Sequence, residues 1–129
     1  MFTMTMNVRD YECDLQGVVN NAVYQNYFEH GRHQYLHHIN VDFAGLAAQG
    51  IHLMVLRAEV DYKNSLRPGD AFTVSVELQR ASRIKYLFVQ EIRRQADDQL
   101  MAKGVFTGVA VNQKGRPFAF EAFDALLAD

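Results

Sequence analysis

A chain of 129 residues has room for one ordinary domain and little room for a second independent core. Apolar residues make up 49% and charged residues 22%, a globular balance that excludes a disordered chain. The formal net charge of -2 gives no overall pull toward nucleic acid or an anionic membrane, so neither is expected as a partner.

Met1 to Asp10 has no basic segment leading a long apolar run, and no stretch reaches the ~20 apolar residues of a membrane helix. The one cysteine, Cys13, excludes an intrachain disulfide framework and fits a reducing compartment. A cytoplasmic protein is the expectation. Thr3 to Arg9 reads as a first strand, followed by a polar, glycine-containing loop from Asp10 to Asn21. The long helical candidate comes next, from Ala22 to His38. Its Tyr24, Tyr27, Phe28, Gly31 and Tyr35 fall on one helical stripe. Gly31 costs that helix about 1 kcal/mol against alanine, a cost that close approach to a sheet would explain.

From Leu56 the period changes to two. Leu56, Ala58, Val60 and Tyr62 alternate with Arg57, Glu59 and Asp61, as in a strand with one wet face. Arg67-Pro68-Gly69-Asp70 signals a turn, and the alternation of Phe72, Val74, Val76 and Leu78 predicts the next strand. Tyr86 to Arg94 and Leu100 to Val111 predict two more, with a turn at Asp97-Asp98. Asn112 to Pro117 closes the sheet, and Phe120 to Leu127 reads as a short final helix. Short turns between successive strands predict an antiparallel sheet with a helix laid on it, an α+β architecture. Such a sheet leaves an edge that a second copy of the chain could cover.

The chemistry concentrates in Asp10 to Asn21, where carboxylates and a glycine turn run into the start of the helix. A helix N-terminus offers unpaired N–H groups and the positive end of a dipole, which can hold the oxyanion formed on a carbonyl under attack. A nearby carboxylate can attack that carbonyl or deprotonate a water. A thioester suits such sparse equipment, because a thiol of pKa about 8.5 leaves without a dedicated acid. The plain alternative is a helix cap with no catalytic part.

The run from Cys13 to Tyr27, CDLQGVVNNAVYQNY, resembles the signature of the 4-hydroxybenzoyl-CoA thioesterase family. That signature is an Asp, two variable residues, a Gly, an apolar pair and an aromatic-containing helix start. Glu29 and Arg32 stand where the family often carries an acid and an arginine, and weaker likeness continues at Tyr62-Lys63, Gly69-Asp70 and Gly115-Arg116-Pro117. The resemblance implies one hotdog thioesterase domain over 1–129, a curved antiparallel sheet wrapped around one long central helix. It implies hydrolysis of an acyl-CoA to the free acid and coenzyme A, with no metal and no cofactor beyond the coenzyme A of the substrate. It implies a homodimer or homotetramer. Asp14 matches the catalytic aspartate as nucleophile or general base. By the same resemblance Gly17 and Val18 would lie beside the substrate, and Asn21 would supply the backbone N–H for the thioester oxygen. Asn20-Asn21 replaces aromatic or histidine residues of several relatives, which leaves the acyl group open.

Arg83 and Lys85, in the turn between two strands, are the cations expected to clamp the coenzyme A phosphates. Asp10 and Glu12 are expected to be solvated or paired; if the loop were extended, they would share one side with Asp14. Cys13 is expected to pack, since no activating base can be assigned to it. His30, His33, His37 and His38 share helical spacing but lack a completed ligand set, and read as a wet face. Three rival readings remain. They are an acyl-acyl carrier protein thioesterase, a non-catalytic acyl-CoA binder, and a hotdog dehydratase, which would put a histidine where Asp14 stands.

Overall fold

In the computed structural model, which describes residues 1–128, the elements run β1 (Phe2–Asn7), a 3-10 turn (Asp10–Glu12), α1 (Asn21–His38), α2 (Phe43–Ala48), β2 (His52–Tyr62), β3 (Ala71–Arg80), β4 (Tyr86–Arg94), β5 (Gln99–Val111), β6 (Pro117–Phe118) and α3 (Glu121–Leu127). The strands form an antiparallel sheet in the order β1-β3-β4-β5-β2, with β6 paired to the end of β5. The period-two pattern decides which face is buried. Phe72, Val74, Val76 and Leu78 of β3 turn inward, as do Tyr86, Phe88, Gln90 and Ile92 of β4.

Asn20 starts α1 by accepting the Ala22 N–H on its side-chain oxygen at 2.8 Å. The helix ends in a paired C-cap: Asn40 takes the left-handed conformation (φ 64°), and the Asn40 and Val41 N–H groups return to the His37 and Leu36 carbonyls. Between these ends, Tyr24, Tyr27, Phe28, Tyr35 and Leu36 are buried. Each large apolar side chain so covered contributes roughly 1.5–3 kcal/mol. Gly31 explains how closely helix and sheet meet. A Cβ there would stand 2.7 Å from Val74 Cγ1 and 3.2 Å from Gln90 Nε2.

Three features differ from the expectations. At 18 residues, α1 is not the only helix on the sheet, since α2 and α3 pack beside the same core, and α1 lies chiefly over β3, with β1 and β4 beside it. The strand expected from Leu56 begins at His52, because a bulge between Val55 and Arg57 breaks its alternation. Asp10 to Glu12 is a tight turn, so Asp10, Glu12 and Asp14 do not share one side of an extended segment. β2 is an edge strand that leaves Met54, Val55 and Leu56 about half exposed.

Candidate active site

The segment between β1 and α1 folds into a small hairpin. Cys13 and Val19 pair across its base, Asp14 N–H donates to the Val18 carbonyl at 2.9 Å, and Gly17 N–H donates to the Asp14 carbonyl at 3.0 Å. Gly17 sits at φ 73°, a conformation that costs an L side chain about 1–2 kcal/mol. No atom lies within 4 Å of a Cβ built there, so the requirement for glycine is torsional and not steric. The hairpin tip, Leu15, is wholly exposed.

Asp14 stands exposed at the base of this hairpin. Its Oδ1 accepts the Gln16 N–H at 2.9 Å and the Val18 N–H at 3.5 Å, which orients the carboxylate. Its Oδ2 makes no hydrogen bond among the described residues. Val19 is buried, and its N–H reaches the Leu66 carbonyl at 2.9 Å, so the hairpin rests on the loop between β2 and β3.

The start of α1 follows directly. The Asn20 cap satisfies Ala22, while the Asn21 N–H has no acceptor among the described residues. The Asn21 carbonyl accepts from the Tyr62 hydroxyl at 3.3 Å, and Gln25 Nε2 donates to the same hydroxyl at 3.3 Å. A carboxylate with one free oxygen and a helix start with one free N–H therefore lie in a single short stretch of chain.

Sequence reasoning missed what holds this stretch in place. Glu12 Oε1 accepts from the Tyr27 hydroxyl at 2.7 Å and from the Arg9 N–H at 2.8 Å, pinning the loop to α1. Burial first, and then the Glu12 hydrogen bond, push the Tyr27 hydroxyl pKa far above its ordinary value. Tyr24 accepts the Leu66 N–H at 2.8 Å and donates to the Asn64 carbonyl at 3.4 Å, tying α1 to the β2–β3 loop. The helical stripe identified both tyrosines as core. Their hydroxyls were the unread signal, since a buried phenol needs a partner.

Cys13 packs against the core, half-buried, and burial followed by the charges of Asp10, Asp14 and Glu12 pushes its thiol pKa up. That favours the protonated, unreactive form. His33 and His37 lie against the Phe43 ring, and His38 against Phe2. Arg83 and Lys85 sit in the turn after β3, at the end remote from Asp14. Ala71 to Arg80 spans roughly 30 Å at about 3.3 Å per residue. Within one chain, these cations and Asp14 are not brought together. Lys63 and Arg67, flanking the Leu66 contact, are exposed cations at the Asp14 end.

The family described as the thioesterase-like superfamily matches residues 8–127. An acyl-acyl carrier protein thioesterase, chloroplastic, of Arabidopsis thaliana is 37% identical over 114 residues, covering 87% of this chain and 59% of the plant protein. A second such thioesterase from that plant is 33% identical, covering 87% and 60%. The chain thus spans about three fifths of the length of these curated relatives. Among solved structures, a 1,4-dihydroxy-2-naphthoyl-CoA thioesterase from Synechocystis superposes with a TM-score of 0.91 at 18% identity, over 99% of this chain and 96% of that one. That likeness concerns the fold, which is the hotdog-like thioesterase fold.

Proposed function

This chain belongs to the thioesterase-like superfamily, and on that premise we propose that it hydrolyses an acyl thioester, releasing a free carboxylic acid and a thiol. The observation that carries the reading is the pairing of Asp14, one carboxylate oxygen free, with the uncapped Asn21 N–H at the start of α1. In this reading the thioester carbonyl oxygen lies against the Asn21 N–H and the helix dipole. Asp14 attacks the carbonyl carbon or takes a proton from the water that does. The oxyanion collapses, the C–S bond breaks, and the thiolate leaves and is protonated by solvent. If Asp14 is the nucleophile, water then hydrolyses the acyl-aspartate. Gly17 permits the turn that presents Asp14, and Val18 borders the acyl group. The mechanism calls on no cofactor other than the thiol carrier of the substrate.

Coenzyme A is the carrier in the primary reading. Lys63 and Arg67 are the cations this reading places nearest its phosphates; a clamp by Arg83 and Lys85 would need a second copy, since their own turn lies remote from Asp14. The exposed apolar edge of β2 supports assembly as a homodimer or homotetramer. A second reading, with acyl carrier protein as carrier, is favoured by the names of the two plant relatives.

Thiol release from matched acyl-CoA and acyl-acyl carrier protein tests both readings. Turnover of the first that is lost in Asp14→Asn supports the primary reading; turnover of the second alone transfers it to the carrier protein. Activity within about threefold of wild type in Asp14→Asn would remove Asp14 from the chemistry. A single turnover in ¹⁸O-water that puts label into Asp14 then identifies a nucleophile, because only water attack on the aspartyl carbonyl of an acyl-aspartate carries solvent oxygen into that side chain.

A further inference from the structure

The reaction above needs the Asn21 N–H to keep one direction, yet that group stands where a helix frays first. Asn20, Asn21 and Ala22 are all exposed, so packing does not confine them. The direction depends on the two peptide planes that meet at the Asn21 Cα. The N–H belongs to the Asn20–Asn21 peptide, and the carbonyl of that rigid plane accepts the Val23 N–H at 2.9 Å. The next plane carries the Asn21 carbonyl, which accepts from the Tyr62 hydroxyl at 3.3 Å. Among the described residues, Tyr62 is the one side chain from outside the hairpin and α1 that bonds to the backbone of the first turn.

Tyr62 is itself held from both sides. It is the last residue of β2, paired with Ala102 of β5, and the next two residues are fastened to the sheet. The Lys63 and Asn64 N–H groups donate to the Met101 carbonyl at 2.9 and 3.1 Å, and Asn64 Nδ2 donates to the Leu100 carbonyl at 2.8 Å. The Tyr62 ring leans against Tyr24, with centroids 5.6 Å apart and planes at 68°. Gln25, one turn beyond Asn21 on α1, donates its Nε2 to the Tyr62 oxygen at 3.3 Å. With that oxygen already accepting, the hydroxyl proton is left to point at the Asn21 carbonyl. Asn21, Tyr62 and Gln25 thus close a small ring of hydrogen bonds between the first turn of α1 and the edge of the sheet.

We propose that Tyr62 is a positioning residue for thioester hydrolysis: with Gln25 it aims the Asn21 N–H at the oxyanion, and it touches no substrate atom itself. The inference rests on the hydrolase reading above and adds a residue of the sheet edge to a site otherwise built from one stretch of chain. Preorganisation gives the bond its value. A donor already aimed needs no reordering as charge develops on the oxygen, whereas a frayed first turn must be ordered in the transition state. Loss of a whole oxyanion donor costs about 10²–10³ in kcat, and loss of its aim should forfeit part of that, about tenfold. Binding of the rest of the substrate does not pass through this bond, so KM should hold.

Steady-state kinetics on the acyl thioester that the full chain turns over best, with thermal melting and amide hydrogen exchange, tests it. Tyr62→Phe, which removes the hydroxyl and keeps the ring, should lower kcat about tenfold with KM within about twofold. Its melting temperature should stay within about 2 °C, since the changed group is largely exposed. Amide exchange at Ala22 and Val23 should quicken several-fold, while the β2–β5 ladder keeps its wild-type protection. Gln25→Met should lower kcat by about two- to threefold, and the double variant should be no slower than Tyr62→Phe alone, because the pair acts as one unit. A wild type inactive on every acyl thioester tried would overturn the hydrolase reading and this inference with it. With an active wild type, four results would each overturn this inference alone. They are a Tyr62→Phe kcat within about twofold of wild type, a loss that falls on KM, first-turn amides that exchange at the wild-type rate, and single-variant losses that multiply in the double variant.

Discussion

The two halves of α1 treat charge in opposite ways. At its N-terminal end the carboxylate of Asp14 stands in water, steered by backbone N–H groups, while the polar groups beneath it are paired: Glu12 with Tyr27 and Arg9, Tyr24 with Leu66, Tyr62 with Asn21. Toward its C-terminal end the guanidinium of Arg32 is buried, stacked on the Phe106 ring and bonded to Gln90, with no ion pair among the described residues, beside an apolar cavity. A solvated carboxylate on a short, braced hairpin is free to react. A desolvated cation on a rigid wall is fixed in place. One helix supports both because its middle is locked to the sheet at Gly31.

Asp14→Asn acts on the first half alone. Asparagine can still accept the Gln16 N–H, so the hairpin and the melting temperature should persist while kcat falls by about 10²–10⁴-fold, or roughly 3–5 kcal/mol. Steady-state kinetics together with thermal melting checks this. A parallel loss of stability would instead mean that the carboxylate charge holds the loop.

Gly31→Val should disturb both halves together. A side chain 2.7 Å from Val74 Cγ1 must displace either the helix or the strand, and overpacking of this kind costs about 1–3 kcal/mol. Urea unfolding measures the loss, and wild-type stability would show that the helix can lift from the sheet.

Tyr27→Phe loosens only the N-terminal half. Removing the donor to Glu12 should cost about 1.5–3 kcal/mol, as for a hydrogen bond to a charged group, and should lower kcat several-fold with little change in KM. The linked pH effect has a definite sign. Because the folded Tyr27 pKa lies above its ordinary value near 10, its contribution to stability is complete below pH 10 and declines as the pH rises further. Between pH 9 and 11 the phenylalanine variant should therefore lose stability less steeply than wild type. Equal slopes would remove Tyr27 from the alkaline response.

The smallest effect separates the two ends of β3. Lys63→Ala with Arg67→Ala should raise KM for an acyl-CoA a few-fold, and more than Arg83→Ala with Lys85→Ala does. Distant phosphate contacts bind ground and transition states about equally, so kcat should hold in both. The reverse order would show that a neighbouring copy brings its β3–β4 turn to the Asp14 site.

Most of the sheet was legible because its strands obey one rule outside the bulges. Tyr86 to Arg94 is the strand its alternation predicts, and the stripe from Tyr24 to Tyr35 predicts α1 to within one residue at its start. Where the period slips, legibility fails. Alternation extended back from Ala58 would turn Leu56 inward, whereas the bulge at that point leaves Leu56 about half exposed and off the cavity that Leu53, Met54 and Val55 line. α2 escaped notice because Phe43–Ala48 is too short for a helical period to show. Asp14, Gly17 and Asn21 were readable as one constellation because they are neighbours in the chain. Arg83 and Lys85 were grouped with them on charge alone, and pairing along β3 puts them at its other end. The Arg32–Gln90 contact joins residues far apart in sequence, and nothing local in either segment announces it.

The position of β2 at the sheet edge also sets a timetable for synthesis. Among the described residues β2 pairs with β5 and with no other strand, and residues 63–98 must be added between them. At about 5–20 residues per second, β2 leaves the ribosome roughly two to seven seconds before its partner strand begins. Through that interval Met54, Val55 and Leu56 have no strand to lie against, although β3, the surface on which Gly31 will close, is added by about its midpoint. A run of slow codons between β2 and β5 would lengthen the wait without altering one residue of the finished protein.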